Sequence, residues 1–127
     1  MKVEYLSEGS PECPLIRLYD FDSVTVARLN TLIMRLADGV SDTVAVHEVP
    51  DIEPVDGCQL FLQAGTRSQG VTKLSSENAF QCTQTRLDWN NVAELVKPFC
   101  ESGQLKGFQW LDDNGDISLL LSHDGHW

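Results

Sequence analysis

The segment from 87 to 121 constrains the fold most strongly, because a helical pattern is followed directly by a hairpin pattern. Asp88 is a good helix N-cap, since its carboxylate can accept a hydrogen bond from a free N–H of the first turn. Leu87 and Val92 then occupy the two positions of a hydrophobic staple. One buried helical stripe accounts for the apolar spacing: Trp89, Val92, Val96 and Phe99. The pattern predicts a helix from Asp88 to about Lys97.

Proline and glycine mark where this helix ends and where a hairpin turns. Pro98 lacks a backbone donor and disfavours helical geometry before it, so we expect the helix to end there, with Gly103 closing the segment. Asn114-Gly115 tolerates the positive φ angles of a type I′ turn. The flanking apolar runs, 108–111 and 116–121, supply two strands for that turn to join. The sequence therefore predicts a tight β-hairpin.

The first half of the chain repeats these patterns less clearly. A helix is predicted from the acidic turn at residues 20–22 to about Asp38, and Gly39 suits the position after it. Its stripe is Val26, Leu29, Ile33 and Leu36. Strands are predicted at 14–19, 43–49, 58–64 and 80–86, with shorter ones near the N-terminus and at 70–74.

The main elements follow the order strand, helix, strand, strand, twice over, which we write βαββ-βαββ. A weak duplication would explain this order, because the segment from Asp20 to Val24 resembles that from Asp88 to Val92. That alignment sets Val96 opposite Arg28, and shared capping chemistry explains the likeness equally well. The sequence predicts a single α+β domain over 1–127, with two helices packed on one largely antiparallel sheet.

Charge limits the classes of partner. Nine basic and nineteen acidic residues give a formal net charge of −10. A uniformly negative surface repels nucleic acid and anionic membranes, so neither is predicted as a partner. No Lys or Arg lies between Arg35 and Arg67, and that interval contains Asp38, Asp42, Glu48, Asp51, Glu53 and Asp56. It is either a face for a basic partner or a solvated surface that discourages aggregation.

The termini and cysteines indicate a cytoplasmic protein. The first eight residues lack the apolar core of a signal peptide, and no apolar run approaches the ~18 residues of a membrane span. The four cysteines form no CxxC pair, so neither a zinc knuckle nor a thioredoxin-like motif is predicted. Free, mostly buried thiols in a reducing compartment are expected.

The segment from Leu18 to Val24, with Asp20 and Asp22 after an apolar strand, resembles the first motif of haloacid-dehalogenase-type phosphatases. The resemblance implies that Asp20 is a nucleophile and Asp22 a general acid/base in a magnesium-dependent phosphohydrolase. Asp112 and Asp113 would then imitate the acidic metal-binding motif. Thr66 or Lys97 would stand in for the two remaining motifs. The competing interpretation is that Asp20 or Asp22 caps the helix that follows.

Two other groups contain metal-ligating side chains. Asp112 and Asp113 open an acidic turn, but an EF-hand loop starting there would need glycine and glutamate where Ile117 and His123 stand. His123 and His126 are three apart, and His47 would have to join them through folding. A hairpin turn and surface histidines explain both groups more simply, so no metal or cofactor is predicted.

The sequence favours a non-enzymatic domain that binds a small ligand or a protein, because each catalytic pattern has a simpler structural explanation. A homodimer formed through an exposed sheet edge is one version of this hypothesis. The alternative is the small magnesium-dependent phosphohydrolase that the Asp20 and Asp22 resemblance implies.

Overall fold

The computed structural model describes residues 1–101 and 106–127. It has two α-helices, α1 (Ser23–Asp38) and α2 (Arg86–Val96). The strands are β1 (Lys2–Leu6), β2 (Leu15–Tyr19), β3 (Thr43–Ala45), β4 (Glu53–Pro54), β5 (Gln59–Ala64), β6 (Gly70–Lys73), β7 (Ala79–Gln84), β8 (Phe108–Asp112) and β9 (Ser118–Ser122). Short 3₁₀ turns follow β3, β4 and α2. The predicted α+β class with two helices is confirmed; Gly103 lies outside the described residues.

The strands form two sheets, whereas the sequence predicted one. Their orders are β4-β1-β2-β9-β8 and β3-β5-β7-β6, and a single bridge between Val71 and Ile117 links them in the described part of the chain. Each sheet has a parallel pair at its centre, β2 with β9 and β5 with β7, flanked by antiparallel pairs. Apolar patterning shows which face of a strand is buried but not which strand lies beside it, so the sequence left the division into sheets undetermined.

Apart from the two-residue β4, the described helices and strands follow the same order in the two halves of the chain. The first unit is β1-β2-α1-β3-β5 and the second is β6-β7-α2-β8-β9. One sheet contains β1 and β2 of the first unit with β8 and β9 of the second. The other sheet contains β3 and β5 of the first unit with β6 and β7 of the second. The observed unit is therefore ββαββ, one strand longer at its start than the predicted βαββ. Because each sheet needs both units, neither half can complete a sheet alone.

The helices pack against each other and share one hydrophobic core with both sheets. The predicted stripes are buried in both helices, as is Phe99 in the turn after α2. Asn30 of α1 donates from Nδ2 to the carbonyl of Ala93 in α2, at 3.2 Å. Trp89 of α2 donates from its indole N–H to the carbonyl of Gln63 in β5, at 2.9 Å. These two hydrogen bonds require specific geometry between the elements that they join, whereas the surrounding apolar contacts do not.

The predicted start of α2 is wrong by two residues. The helix begins at Arg86, and its N-cap is Thr85, whose hydroxyl accepts a bond from the N–H of Asp88 at 3.1 Å. Asp88 is thus the acid in the first turn of a capped helix, and the hydroxyl of Ser68 donates to its carboxylate. The predicted staple is also wrong, because Leu87 is 72% exposed.

The predicted hairpin is confirmed as an antiparallel pairing of β8 with β9, but its turn differs. The strands are joined by a longer loop, 113–117, and neither Asn114 nor Gly115 has a positive φ, so there is no type I′ turn. Asp112 accepts a 2.7 Å bond from Nδ2 of Asn114, and the register shifts between Trp110 and Asp112. Side-chain bonding and a bulge replace the expected tight turn.

The predicted strand at 43–49 is also shorter than expected. Only Thr43–Ala45 is extended, and Val46–Glu48 forms a 3₁₀ turn. None of the described helices combines the length and apolar character needed to cross a membrane.

Candidate functional site

The two aspartates of the Asp-x-Asp motif have different roles in the fold. Asp22 is the N-cap of α1, and its Oδ1 accepts a 2.8 Å bond from the N–H of Thr25. That bond lowers the pKa of Asp22, because it stabilises the carboxylate form. Asp20 is exposed, has φ 57°, and lies 3.7 Å from Nζ of Lys2. The capping interpretation therefore has direct geometric support at Asp22.

The acidic pair at the end of β8 lies away from this motif. Asp112 pairs across the hairpin with Leu119, and Leu119 lies beside Ile16 in β2. Asp20 follows Tyr19 at the other end of β2, and the three residues from Ile16 to Tyr19 span about 10 Å. The structure does give β2 a parallel neighbour, β9, but it does not bring the two carboxylate pairs together.

The remaining residues that the phosphatase resemblance singled out are also dispersed over the fold. Thr66 follows β5 in the four-stranded sheet, and Lys97 begins the 3₁₀ turn after α2. Asp113 is exposed in the loop between β8 and β9.

Replacing Asp22 by alanine is expected to lower the melting temperature by a few degrees, because the first turn of α1 loses its capping acceptor. Asp20→Asn is the matched control, since asparagine also tolerates positive φ and Asp20 is exposed. We expect its melting curve to overlay that of the wild type. Thermal unfolding followed by circular dichroism measures both; equal losses in the two variants would contradict the capping role.

The histidines do not converge. Nδ1 of His47 accepts a 3.1 Å bond from the N–H of Leu60, and its ring packs edge-on against Phe61. His123 packs edge-on against Phe21, and His126 is exposed. In residues 1–101 and 106–127, no three His, Cys, Asp or Glu side chains are placed to hold one metal ion.

The four cysteines are free thiols, and Cys58 and Cys82 are buried. Desolvation raises the pKa of Cys58 to about 11 and raises the pKa of Cys82 further. Both thiols therefore stay protonated near neutral pH, and a thiolate nucleophile is disfavoured at either position.

A polar cleft of about 240 Å³ lies between α2 and the β8–β9 loop. Asp88, Asn91 and Asp112 contribute to its wall. Asp112 is only 5% exposed, and its Oδ2 has no hydrogen-bond partner in the described chain. Burial raises the pKa of Asp112, although bonds from Asn114 oppose the shift. Gly70 lies directly against Oδ2, so this carboxyl group sits where the two sheets meet.

A larger groove of about 390 Å³ lies between α1 and β3, and we call it the α1–β3 groove. Its lining residues are Arg28, Leu32, Ser41, Thr43, Val44, Ala45, Glu48, Val49 and Pro50. The groove is an open cleft, and its lining includes the apolar side chains of Leu32, Val44 and Val49, which we call its apolar floor. Arg28 donates to Asp51 at 3.0 Å, and both members of this ion pair are exposed.

The acidic interval seen in the sequence contributes Glu48 to the wall of this groove, while Asp51 and Glu53 line a separate cleft beside Lys2. All six carboxylates of the interval are exposed: Asp38, Asp42, Glu48, Asp51, Glu53 and Asp56. Asp42 pairs with Arg86 at 2.7 Å and Asp51 pairs with Arg28, whereas no such ion pair joins the other four to the described chain. We call these six residues the acidic face. The charge gap was visible in the sequence, but the groove was not, since it requires the approach of α1 to β3.

No family model matches the chain, and no curated protein or solved structure matches it either.

Proposed function

We propose that this chain is a protein-interaction domain whose acidic face and α1–β3 groove bind a basic segment of a partner protein. The observation that carries the proposal is that the groove is lined largely by residues 41–50, which belong to an acidic interval without Lys or Arg, and that its one lining cation in the described chain, Arg28, is paired with Asp51. Charge complementarity selects a basic partner and speeds association with it. Leu32 on the apolar floor is only partly buried and supplies area to bury, whereas Val44 and Val49 are already buried in the core.

The shape of the groove favours an extended segment over a small molecule. Sites for small ligands usually enclose most of the ligand surface, whereas this cleft is open along its length. A second copy of the chain is a poorer occupant, because pairing through this groove would bring two acidic faces together. Like charges across an interface oppose association.

Binding can be tested with a basic peptide of about eight residues that alternates valine and lysine and is about 26 Å long when extended. We expect the wild type to bind it with an affinity that falls as salt is added. The double variant Asp38→Asn/Glu48→Gln is expected to weaken binding by about tenfold, because two carboxylates of the acidic face are lost. Isothermal titration calorimetry measures each affinity.

The matched control is Glu8→Gln/Glu12→Gln, which removes the same charge from the exposed connection between β1 and β2. These residues do not line the groove. We expect this variant to bind within about twofold of the wild type. Equal weakening in both double variants would show attraction to net charge alone and would contradict a specific acidic face.

The alternative function is a small magnesium-dependent phosphohydrolase that uses Asp20 and Asp22. Its support is the parallel pairing of β2 with β9 and the exposure of Asp20 at the end of β2. Against it stand the capping bond of Asp22 and the position of Asp112 at the other end of the sheet. Magnesium-dependent phosphate release that Asp20→Asn abolishes would establish this alternative and remove the binding-only proposal.

A further inference from the structure

Among the strands of residues 1–101 and 106–127, β3 lies at an edge of its sheet, and its outer backbone groups have no partner strand there. The N–H of Ala64 donates to the carbonyl of Asp42, so these two opposed residues form a hydrogen-bonded pair. In an antiparallel ladder such pairs alternate with pairs whose backbone groups point outward. Thr43 and Ala45 occupy the outward-pointing positions. Their N–H and C=O groups therefore face the α1–β3 groove rather than β5.

The other edge strands differ from β3 in how they are protected. The edge strand β4 is only two residues long and contains Pro54, which has no N–H to donate. At the β6 edge, Val71 is bridged to Ile117. At β8, the side chain of Gln109 donates to the carbonyl of Trp110 at 3.0 Å, and the ladder is bulged. Natural proteins protect edges by such devices, or with lysine and proline; β3 includes neither residue, and its protection is its short length of three residues.

We infer that the basic partner segment binds as an added β-strand along the free edge of β3. This inference rests on the proposed function and specifies how the partner is held. The outward N–H and C=O groups of Thr43 and Ala45 supply main-chain hydrogen bonds, which give affinity without regard to partner sequence. The α1–β3 groove beside this edge has room for the added backbone.

The side chains around the edge define the partner pattern. Successive residues of an added strand face opposite sides, so the segment alternates in character. Residues on the same side as Val44 meet the apolar floor at Leu32 and Val49, which suits valine or leucine. Residues on the other side share the exposed face of Thr43, where lysine or arginine suits the net charge of −10. The occupant is an extended segment that alternates apolar and basic residues.

Ala45→Pro tests strand addition without changing any charge. The N–H of Ala45 points away from β5, so proline removes a donor from the free edge and leaves the β3–β5 ladder intact. Ala45 has φ −91°, close to the range that proline adopts. We expect the valine-lysine peptide to bind this variant about tenfold more weakly. Ala45→Ser keeps the N–H and is expected to bind within about twofold of the wild type.

A second measurement applies even if Ala45→Pro fails to fold. The same peptide is N-methylated at alternate backbone positions, in each of the two frames, and titrated into the wild type. One frame blocks the edge that faces β3 and is expected to abolish binding, while the other frame faces solvent and is expected to retain it.

The outcomes separate the two proposals. Equal binding of the unmethylated peptide and both methylated peptides would overturn strand addition, while the acidic face would stand if Asp38→Asn/Glu48→Gln still weakens binding. Undiminished binding to a folded Ala45→Pro would likewise overturn strand addition. If the unmethylated peptide does not bind the wild type, both proposals fail.

Discussion

Replacing Trp89 by alanine is expected to reduce the free energy of unfolding by about 3–5 kcal/mol. Trp89 is 0% exposed, so its removal from α2 leaves a large cavity in the core shared by the two sheets. The carbonyl of Gln63 in β5 also loses the indole N–H as its donor. Because a domain of this size has a total stability of about 5–15 kcal/mol, the loss is a large fraction of the whole.

Urea unfolding should be followed by far-ultraviolet circular dichroism, since the substitution removes a fluorophore. Trp89→Phe retains most of the apolar volume but not the donor, and we expect it to lose stability to a smaller degree. Leu87→Ala lies on the same helix at a position that is 72% exposed, and its effect is expected to stay within about 0.5 kcal/mol. A large loss in Leu87→Ala would restore the predicted staple and contradict the structure at this helix start.

The helices were predictable because their signals are local. The stripes of α1 and α2 are periodic in sequence, and Gly39 has the positive φ expected after α1. The cap of α2 was assigned to Asp88 instead of Thr85 because both residue types cap helices and both precede the apolar stripe. Only the exposure of Leu87 and the bond from the Asp88 N–H to Thr85 decide between them.

The sheets were less predictable because their contacts are distant in sequence. The pairing of β2 with β9 joins residues about a hundred positions apart, and the sequence of neither strand indicates which strand it pairs with. The turn at Asn114-Gly115 was assigned from its dipeptide, yet the approach of Val71 and the side chain of Asp112 override that preference. Tertiary contacts therefore decide the loop that joins β8 to β9.

For the candidate site too, the local feature was predictable from the sequence and the tertiary feature was not. The charge gap between Arg35 and Arg67 is a property of composition, and the sequence identified it directly. The free edge of β3 was hidden, because 43–49 was predicted as one strand in a single sheet. Its edge position follows from the separation of the strands into two sheets and from the 3₁₀ turn at Val46–Glu48.

Gly70→Ala is expected to cost about 2–4 kcal/mol, because two separate penalties fall on one position. Gly70 has φ +77°, a conformation that L residues rarely adopt. A Cβ there would lie 2.7 Å from Oδ2 of Asp112 and 2.8 Å from the backbone N of Gly115. The backbone contact cannot be relieved by a rotamer change, so the β8–β9 loop would have to move away from β6.

Gly57→Ala is the matched control, since Gly57 has φ +72° but no atom within 4 Å of an added Cβ. It is expected to cost about 1 kcal/mol, the conformational penalty alone. The difference between the two variants in urea unfolding isolates the contact that joins the sheets at Val71 and Ile117. Equal losses would mean that the loop does not press on β6. A larger loss at Gly70 would establish that the sheet carrying β3 is held to its neighbour at this junction.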